Sequence, residues 1–216
     1  MWGAEPAAFL TIAKFMAAAA CATLALGHLF VWVQRAEKTA HLWFAISAMA
    51  AGANPVAEAF LYRAPTVADY NVGFKWANSL SALAFVSLLW FFTSYAETGG
   101  RWRGLRVGIT AVFVFAAVMN LVLPYGFLFA DMTSLKRFVL PWGEVIALAE
   151  GPASSWRYLS DLAFVGMLVV GVGETRAMWR QGRNRGAVFV GGSFLLYLFV
   201  LLVSGYATDV GLVELP

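Results

Sequence analysis

The sequence predicts an all-α integral membrane protein: a bundle of six transmembrane helices with an external β-hairpin between the fourth and fifth. Three observations predict it. Hydrophobic residues make up 61% of the 216 and charged residues only 12%, where an ordinary soluble domain carries about 25% charge. The apolar residues gather into six runs of spanning or near-spanning length. The Lys and Arg residues fall between those runs almost without exception.

A spanning helix needs about 20 predominantly apolar residues, because ~1.5 Å of rise per residue must cross ~30 Å of hydrocarbon. The runs cover 7–33, 41–62, 76–95, 105–125, 158–173 and 187–206. The first is too long for a signal peptide, lacks a basic leading segment and has no cleavage site, so it reads as a permanent helix. The fifth is short unless it continues through Glu174 towards Trp179. The chain, 1–216, reads as one transmembrane domain with no separate soluble unit.

Lys and Arg orient the bundle, since cationic connections are retained in the cytoplasm. Arg35 and Lys38 follow the first run, Arg101, Arg103 and Arg106 surround the third connection, and Arg176, Arg180, Arg183 and Arg185 fill the fifth. Those three connections hold nine cations against five in the others, where Arg63, Lys75, Lys136, Arg137 and Arg157 are mixed with Asp69, Asp131, Glu144 and Glu150. The expected topology is multi-pass in a cell inner membrane with both termini outside; Asp209 and Glu214 at the C-terminal end agree.

The longest external connection, 126–157, carries two β-prone runs around Pro141-Trp142-Gly143, whose Pro and Gly supply turn geometry. A hairpin over the mouth of the bundle is one reading. An amphipathic segment resting on the membrane surface is the other.

Ionisable and amide groups inside hydrocarbon are costly unless paired or wetted, so each is a candidate site residue. Lys14 lies about two turns into helix 1. Asn54 and Glu58 sit four apart on one face of helix 2, with Pro55 between them. Asn78 opens helix 3, Asn120 and Pro124 lie near the outer end of helix 4, and Asp161 lies one turn into helix 5. All share the outer depth, so they are expected to form a polar ligand pocket beneath the loop carrying Trp142 and Glu144, with Lys14 neutralised by Glu58 or Asp161. The plainer alternatives are a snorkelling Lys14, an Asp161 that caps its helix, and asparagines that join neighbouring helices.

Several classes are excluded. Basic residues distributed between apolar runs give an orientation signal and no nucleic-acid surface. The single cysteine, Cys21, permits no disulfide framework and no cysteine metal site. No metal motif, H-E-x-x-H included, and no Gly-rich phosphate loop is present; Gly191-Gly192 lies within helix 6 and reads as small-residue packing. A rhodopsin-like pigment would need a buried lysine near the end of the bundle, and the one intramembrane lysine is in helix 1. No enzyme activity, metal or cofactor is expected. His28 and His41, near the cytoplasmic ends of adjacent helices, are the sole handle for a haem-binding alternative.

Several motifs together resemble a known family. They are Leu42-Trp-Phe-Ala through Glu58, Phe74-Lys-Trp-Ala, Phe91-Phe-Thr-Ser-Tyr95, Leu140-Pro-Trp-Gly-Glu144, Met178-Trp-Arg-Gln-Gly-Arg, Gly191-Gly192-Ser193 and Val213-Glu-Leu-Pro216. The layout is similar to the N-terminal seven-transmembrane sensor region of bacterial histidine kinases and related signalling proteins. In that family a seventh helix follows the Pro216 position and leads to a cytoplasmic module; this sequence stops before it. The resemblance implies a sensor domain that binds an external or lipid-dissolved ligand and works through a cytoplasmic signalling partner, in contact with lipids and compatible with a homodimer. The competing classes are a small-molecule transporter or channel subunit and a haem- or quinone-binding redox subunit. Transporters usually carry paired repeats and midplane broken helices, whereas here the polar groups lie towards one side.

Overall fold

The computed structural model describes residues 9–97 and 100–209. Residues 7 and 8 of the first run, Glu214 and the 213–216 motif lie outside the described residues.

Among the described residues, six helical rods are long and apolar enough to cross a membrane. Five are α1 (Phe9–Gln34), α2 (Thr39–Leu61), α3 (Val67–Ala96), α4 (Arg103–Val122) and α5 (Arg157–Arg180). The sixth is composite: α6 (Asn184–Gly186), a π-helical stretch (Ala187–Gly191) and α7 (Gly192–Asp209) run on through helical dihedrals at Ala187 and Gly192. Between α4 and α5 stand β1 (Ser134–Val139) and β2 (Val145–Glu150), paired antiparallel from Ser134 opposite Glu150 to Val139 opposite Val145. The two β-prone runs therefore do form a hairpin.

Two helices run further than hydropathy alone marks. α3 begins nine residues before the expected Trp76, because Thr66 opens it with a reciprocal cap: its hydroxyl accepts from the Asp69 amide at 3.2 Å and donates to the Asp69 carboxylate at 2.6 Å. Asp69, Asn71 and Lys75 lower the hydropathy of that first segment without weakening its helix. α5 does continue through Glu174, since Ala163, Met167, Val170, Gly171, Glu174 and Met178 form one buried stripe at helical spacing. α4 is shorter than expected. Its last helical residue is Val122, and Leu123 is extended, as the residue before a proline tends to be.

Sequential helices are neighbours: α1 packs on α2, α2 on α3, α3 on α4, α4 on α5, and α5 on the last span. The main core lies among α3, α4, α5 and the last span, around fully buried Leu89, Phe92, Met167, Val170 and Leu198. Phe92 and Phe194 stack with centroids 4.3 Å apart, and Gly171 permits it, because a Cβ there would lie 2.9 Å from the Phe194 ring. The outward faces carry large exposed apolar side chains such as Phe30, Phe60, Val122, Phe189 and Phe199, the surface that a helix presents to lipid.

α1 is held differently. Ala25 is its only buried residue among those described. It packs on an α2 face of small residues, Ala45, Ala48 and Gly52 among them. A Cβ on Gly52 would lie 2.8 Å from the Cys21 Cβ and 3.2 Å from the Ala18 carbonyl. Close approach of small residues is the usual basis of helix association in lipid.

The hairpin is docked, not floating. The Ala147 amide donates to the Tyr62 carbonyl at 2.8 Å. Met132 and Ala147 pack with Leu61, Ala64 and Tyr70 in a second core over the α2–α3 connection.

Candidate functional site

Where α1, α2 and the hairpin meet, two polar contacts are stacked one above the other. The deeper one is the Lys14–Glu58 ion pair, with side chains 13% and 31% exposed. Asn54, one turn before Glu58, donates to its other carboxylate oxygen at 3.3 Å. The Lys14 ammonium also lies 4.6 Å from the Tyr62 ring centroid. A helix-borne lysine among apolar neighbours is thus balanced by one carboxylate and one aromatic face.

Nearer the hairpin, the Glu144 carboxylate reaches across to the first described turn of α1. It accepts from the Leu10 amide at 2.9 Å, the Thr11 amide at 3.3 Å, the Thr11 hydroxyl at 2.7 Å and the Trp142 indole at 3.0 Å. The hairpin turn that presents it closes through Leu140 and Glu144, with Gly143 at φ +89° supplying the left-handed residue. Glu144 therefore serves α1 as a cap borrowed from a distant segment, an anion at the positive end of a helix. Burial pushes its carboxyl pKa up, but the Thr11, Trp142 and Leu10 hydrogen bonds outweigh that and hold it below the usual carboxylate range. Thr11 also accepts from Arg63 at 3.1 Å, which links the cap to the end of α2. Trp142 is 42% exposed and meets the Phe9 ring edge to face at 6.5 Å.

The expected single pocket is divided. Lys14, Asn54, Glu58, Trp142 and Glu144 belong to the α1–α2–hairpin junction. Asn78 and Asn120 instead line a cavity among α3, α4 and α5 to which neither α1 nor α2 contributes. Asn78 does not open α3; it lies three turns inside, because the Thr66 cap starts the helix earlier. Asn120 is fully engaged in structure, donating to the Lys75 carbonyl at 2.7 Å and Ser79 at 3.2 Å and accepting from the Phe127 amide at 3.2 Å. Asp161 faces outwards, about half exposed, 4.0 Å from Arg157 one turn away. It is not the partner of Lys14. These residues share an end of the bundle, but they divide between the α1–α2–hairpin junction, the cavity among α3, α4 and α5, and the outer face of α5.

His28 and His41 are adjacent, with Nδ1 atoms 3.0 Å apart and ring centroids at 5.0 Å. His28 also stacks on Phe44 at 4.0 Å. That separation suits a hydrogen bond between the rings; two imidazoles facing each other across a metal at ~2.0–2.1 Å each would stand about 4 Å apart. The pair as arranged does not fit an axial haem sandwich.

A further polar group, at the opposite end, was not marked by hydropathy. Arg106 lies inside α4, 4.1 Å from the Trp90 ring centroid, and donates to the Thr93 hydroxyl at 2.9 Å. Glu174, 2% exposed, joins Arg103, Arg106, Trp102 and Thr93 around a crevice of about 200 Å³. The signal was present: Glu174 falls in register with Met167, Val170, Gly171 and Met178. Nearby, Arg183 donates to the Tyr95 and Ala96 carbonyls at 3.0 and 2.9 Å, closing the end of α3.

Comparison with protein families, curated proteins and solved structures finds no match to the chain. Function must then be argued from the site itself.

Proposed function

We propose that the chain is the membrane-embedded sensor domain of a bacterial signalling system, in which a ligand from outside the cell or dissolved in the lipid acts where α1, α2 and the hairpin meet. The observation that carries the reading is the attachment of α1. One end is fixed by Glu144 and by the Lys14–Glu58 pair, while the rest lies on a small-residue face and buries little. A ligand that favours the detached arrangement over the attached one shifts α1, and only a difference in affinity between the two can do so. The shift reaches the basic connections at the far end, where a cytoplasmic partner reads it.

Two further features are compatible with the proposal. The first is that connections rich in Lys and Arg alternate with connections of mixed charge, as an N-outside topology requires. The second is a groove of about 420 Å³ between α2, α3 and the last span, lined by Phe44, Ser47, Ala51, Leu88 and Phe189, which offers an apolar surface to a lipid-dissolved ligand.

The test uses the chain in lipid nanodiscs, with Cys21→Ala and spin labels at Val33 and Val107, both exposed near the basic end. Glu144→Ala should displace or broaden the distance distribution between them. An unchanged distribution sinks the reading. Topology is checked separately: in intact cells a membrane-impermeant thiol reagent should label Ala153→Cys and spare Gln181→Cys.

A further inference from the structure

We infer that the cavity beneath the turn after α4 is a second binding site, for a small neutral molecule carrying a hydrogen-bonding oxygen, and that its lining is separate from the α1–α2 junction. It encloses about 130 Å³. α3 contributes Asn78 and Ser81, α4 contributes Phe113 and α5 contributes Ser160 and Phe164, with Phe127 above them.

Three properties define what fits. The first is charge. No Asp, Glu, Lys, Arg or His lines the cavity, so an ionic ligand would lose its water with no counter-charge to replace it. The second is an amide without a partner. Asn78 Nδ2 is buried and makes no hydrogen bond within the protein, whereas the large majority of buried side-chain polar atoms are bonded. Asn54 and Asn71 also carry a buried oxygen without a partner, but each has its amide nitrogen engaged, on Glu58 and on the Pro124 carbonyl. Asn120, which shares the cavity, has both of its amide hydrogens engaged, on the Lys75 carbonyl and on Ser79. Asn78, beside the Ser81 and Ser160 hydroxyls, thus supplies the unpartnered donor for a ligand oxygen. The third is shape: Phe85, Phe113 and Phe164 meet pairwise at 4.8 to 5.7 Å between centroids, a three-ring corner for an apolar body. A dry cavity of roughly 150 Å³ admits benzene, so the ligand has about six heavy atoms, in the class of a short alcohol or a cyclic ketone.

The roof is built to hold its place. Asn120 accepts the Phe127 amide, and Gly126, at φ +75°, makes the turn; a Cβ there would lie 2.7 Å from Asn120 Oδ1. The turn is continuous with the hairpin base through the Phe129–Ala153 bridge and the Ala130 amide on the Pro152 carbonyl at 2.9 Å. Occupancy beneath Phe127 is therefore mechanically connected to the hairpin.

Water is the competing occupant, and the experiment separates the two. The chain in nanodiscs, with ¹⁵N-labelled asparagine, is titrated with cyclopentanone while the Asn78 side-chain amide resonance is followed; Asn78→Leu assigns it. Cyclopentane, which has the ring without the oxygen, is the control. The expected result is a saturable shift with cyclopentanone alone, and an affinity at least tenfold weaker in Ala117→Leu, which fills the cavity and keeps Asn78. No saturable shift would mean that the cavity holds water, and a shift unchanged in Ala117→Leu would mean partition into lipid. Either result overturns the site. If Asn78→Leu fails to fold, Ala117→Leu and the cyclopentane control still decide the matter.

Discussion

The Lys14–Glu58 pair makes the sharpest energetic claim in the molecule, and a double-mutant cycle measures it. Fully exposed ion pairs contribute about 0–1 kcal/mol, and breaking a buried one by removing a partner costs about 3–5 kcal/mol. This pair lies between: Lys14 is 13% exposed and Glu58 31%, so water screens one side of the carboxylate. Lys14→Met strands a carboxylate that retains only the Asn54 amide, and Glu58→Gln strands an ammonium that retains only the Tyr62 ring. Each single change should cost about 2 kcal/mol, roughly a 30-fold shift in the folding equilibrium. The double replacement Lys14→Met/Glu58→Gln leaves no stranded charge and should cost less than the sum by about 1–2 kcal/mol. Unfolding in mixed micelles with increasing SDS, followed by tryptophan fluorescence, gives all four corners of the cycle. Additivity to within about 0.5 kcal/mol would mean that the two side chains reach water separately, and would refute the coupling.

Three more outcomes are expected. Because the Glu144 carboxyl is held below its ordinary value of 4.5, its stabilising effect should be complete above that pH and disappear as pH falls through the lowered folded value; unfolding midpoints measured against pH should show this loss, and Glu144→Gln should flatten that part of the curve. Gly126→Ala, with a left-handed backbone and a Cβ 2.7 Å from the Asn120 amide oxygen, should destabilise the chain by about 1–3 kcal/mol in the same unfolding assay, while Gly104→Ala, which meets nothing within 4 Å, should not. Gly52→Leu should force α1 off α2 and raise the rate at which a lipid-permeant maleimide modifies Cys21; an unchanged rate would contradict the close approach.

Much of the architecture was legible because lipid imposes a coarse rule: a long apolar run must become a helix. The Pro141-Trp142-Gly143 turn was legible for the same kind of reason, local chemistry acting over a few residues. The starts and ends that escaped were those decided by something other than hydropathy, a Thr66 hydroxyl for α3 and the buried register of Glu174 for α5. Lys14 with Glu58 could be foreseen because an isolated charge in lipid demands a partner. Asp161 made the same demand and met it with Arg157, its own neighbour, which no count of charges by depth distinguishes. Depth along the membrane normal is readable from distance along a helix; position around the ring is not, and so Asn78 and Asn120 were expected beside Glu58 when they face a different set of helices. The role of Glu144 was least visible, since its partners lie 133 and 134 residues away.

That separation also sets a clock. Ribosomes add about 5–20 residues per second, so the 134 residues between Leu10 and Glu144 take roughly 7–27 s to synthesise. Throughout that interval α1 is already made and its first amides have no carboxylate to accept them. By the time the hairpin emerges, α2, α3 and α4 have been synthesised and can pack, and α1 can hold Glu58 through Lys14, while its first amides still await their carboxylate. The earliest helix in the chain thus receives its end cap only after three later helices are made, and a slow step in hairpin closure would register as a delay in the ordering of the first described turn of α1, far from the residues that cause it.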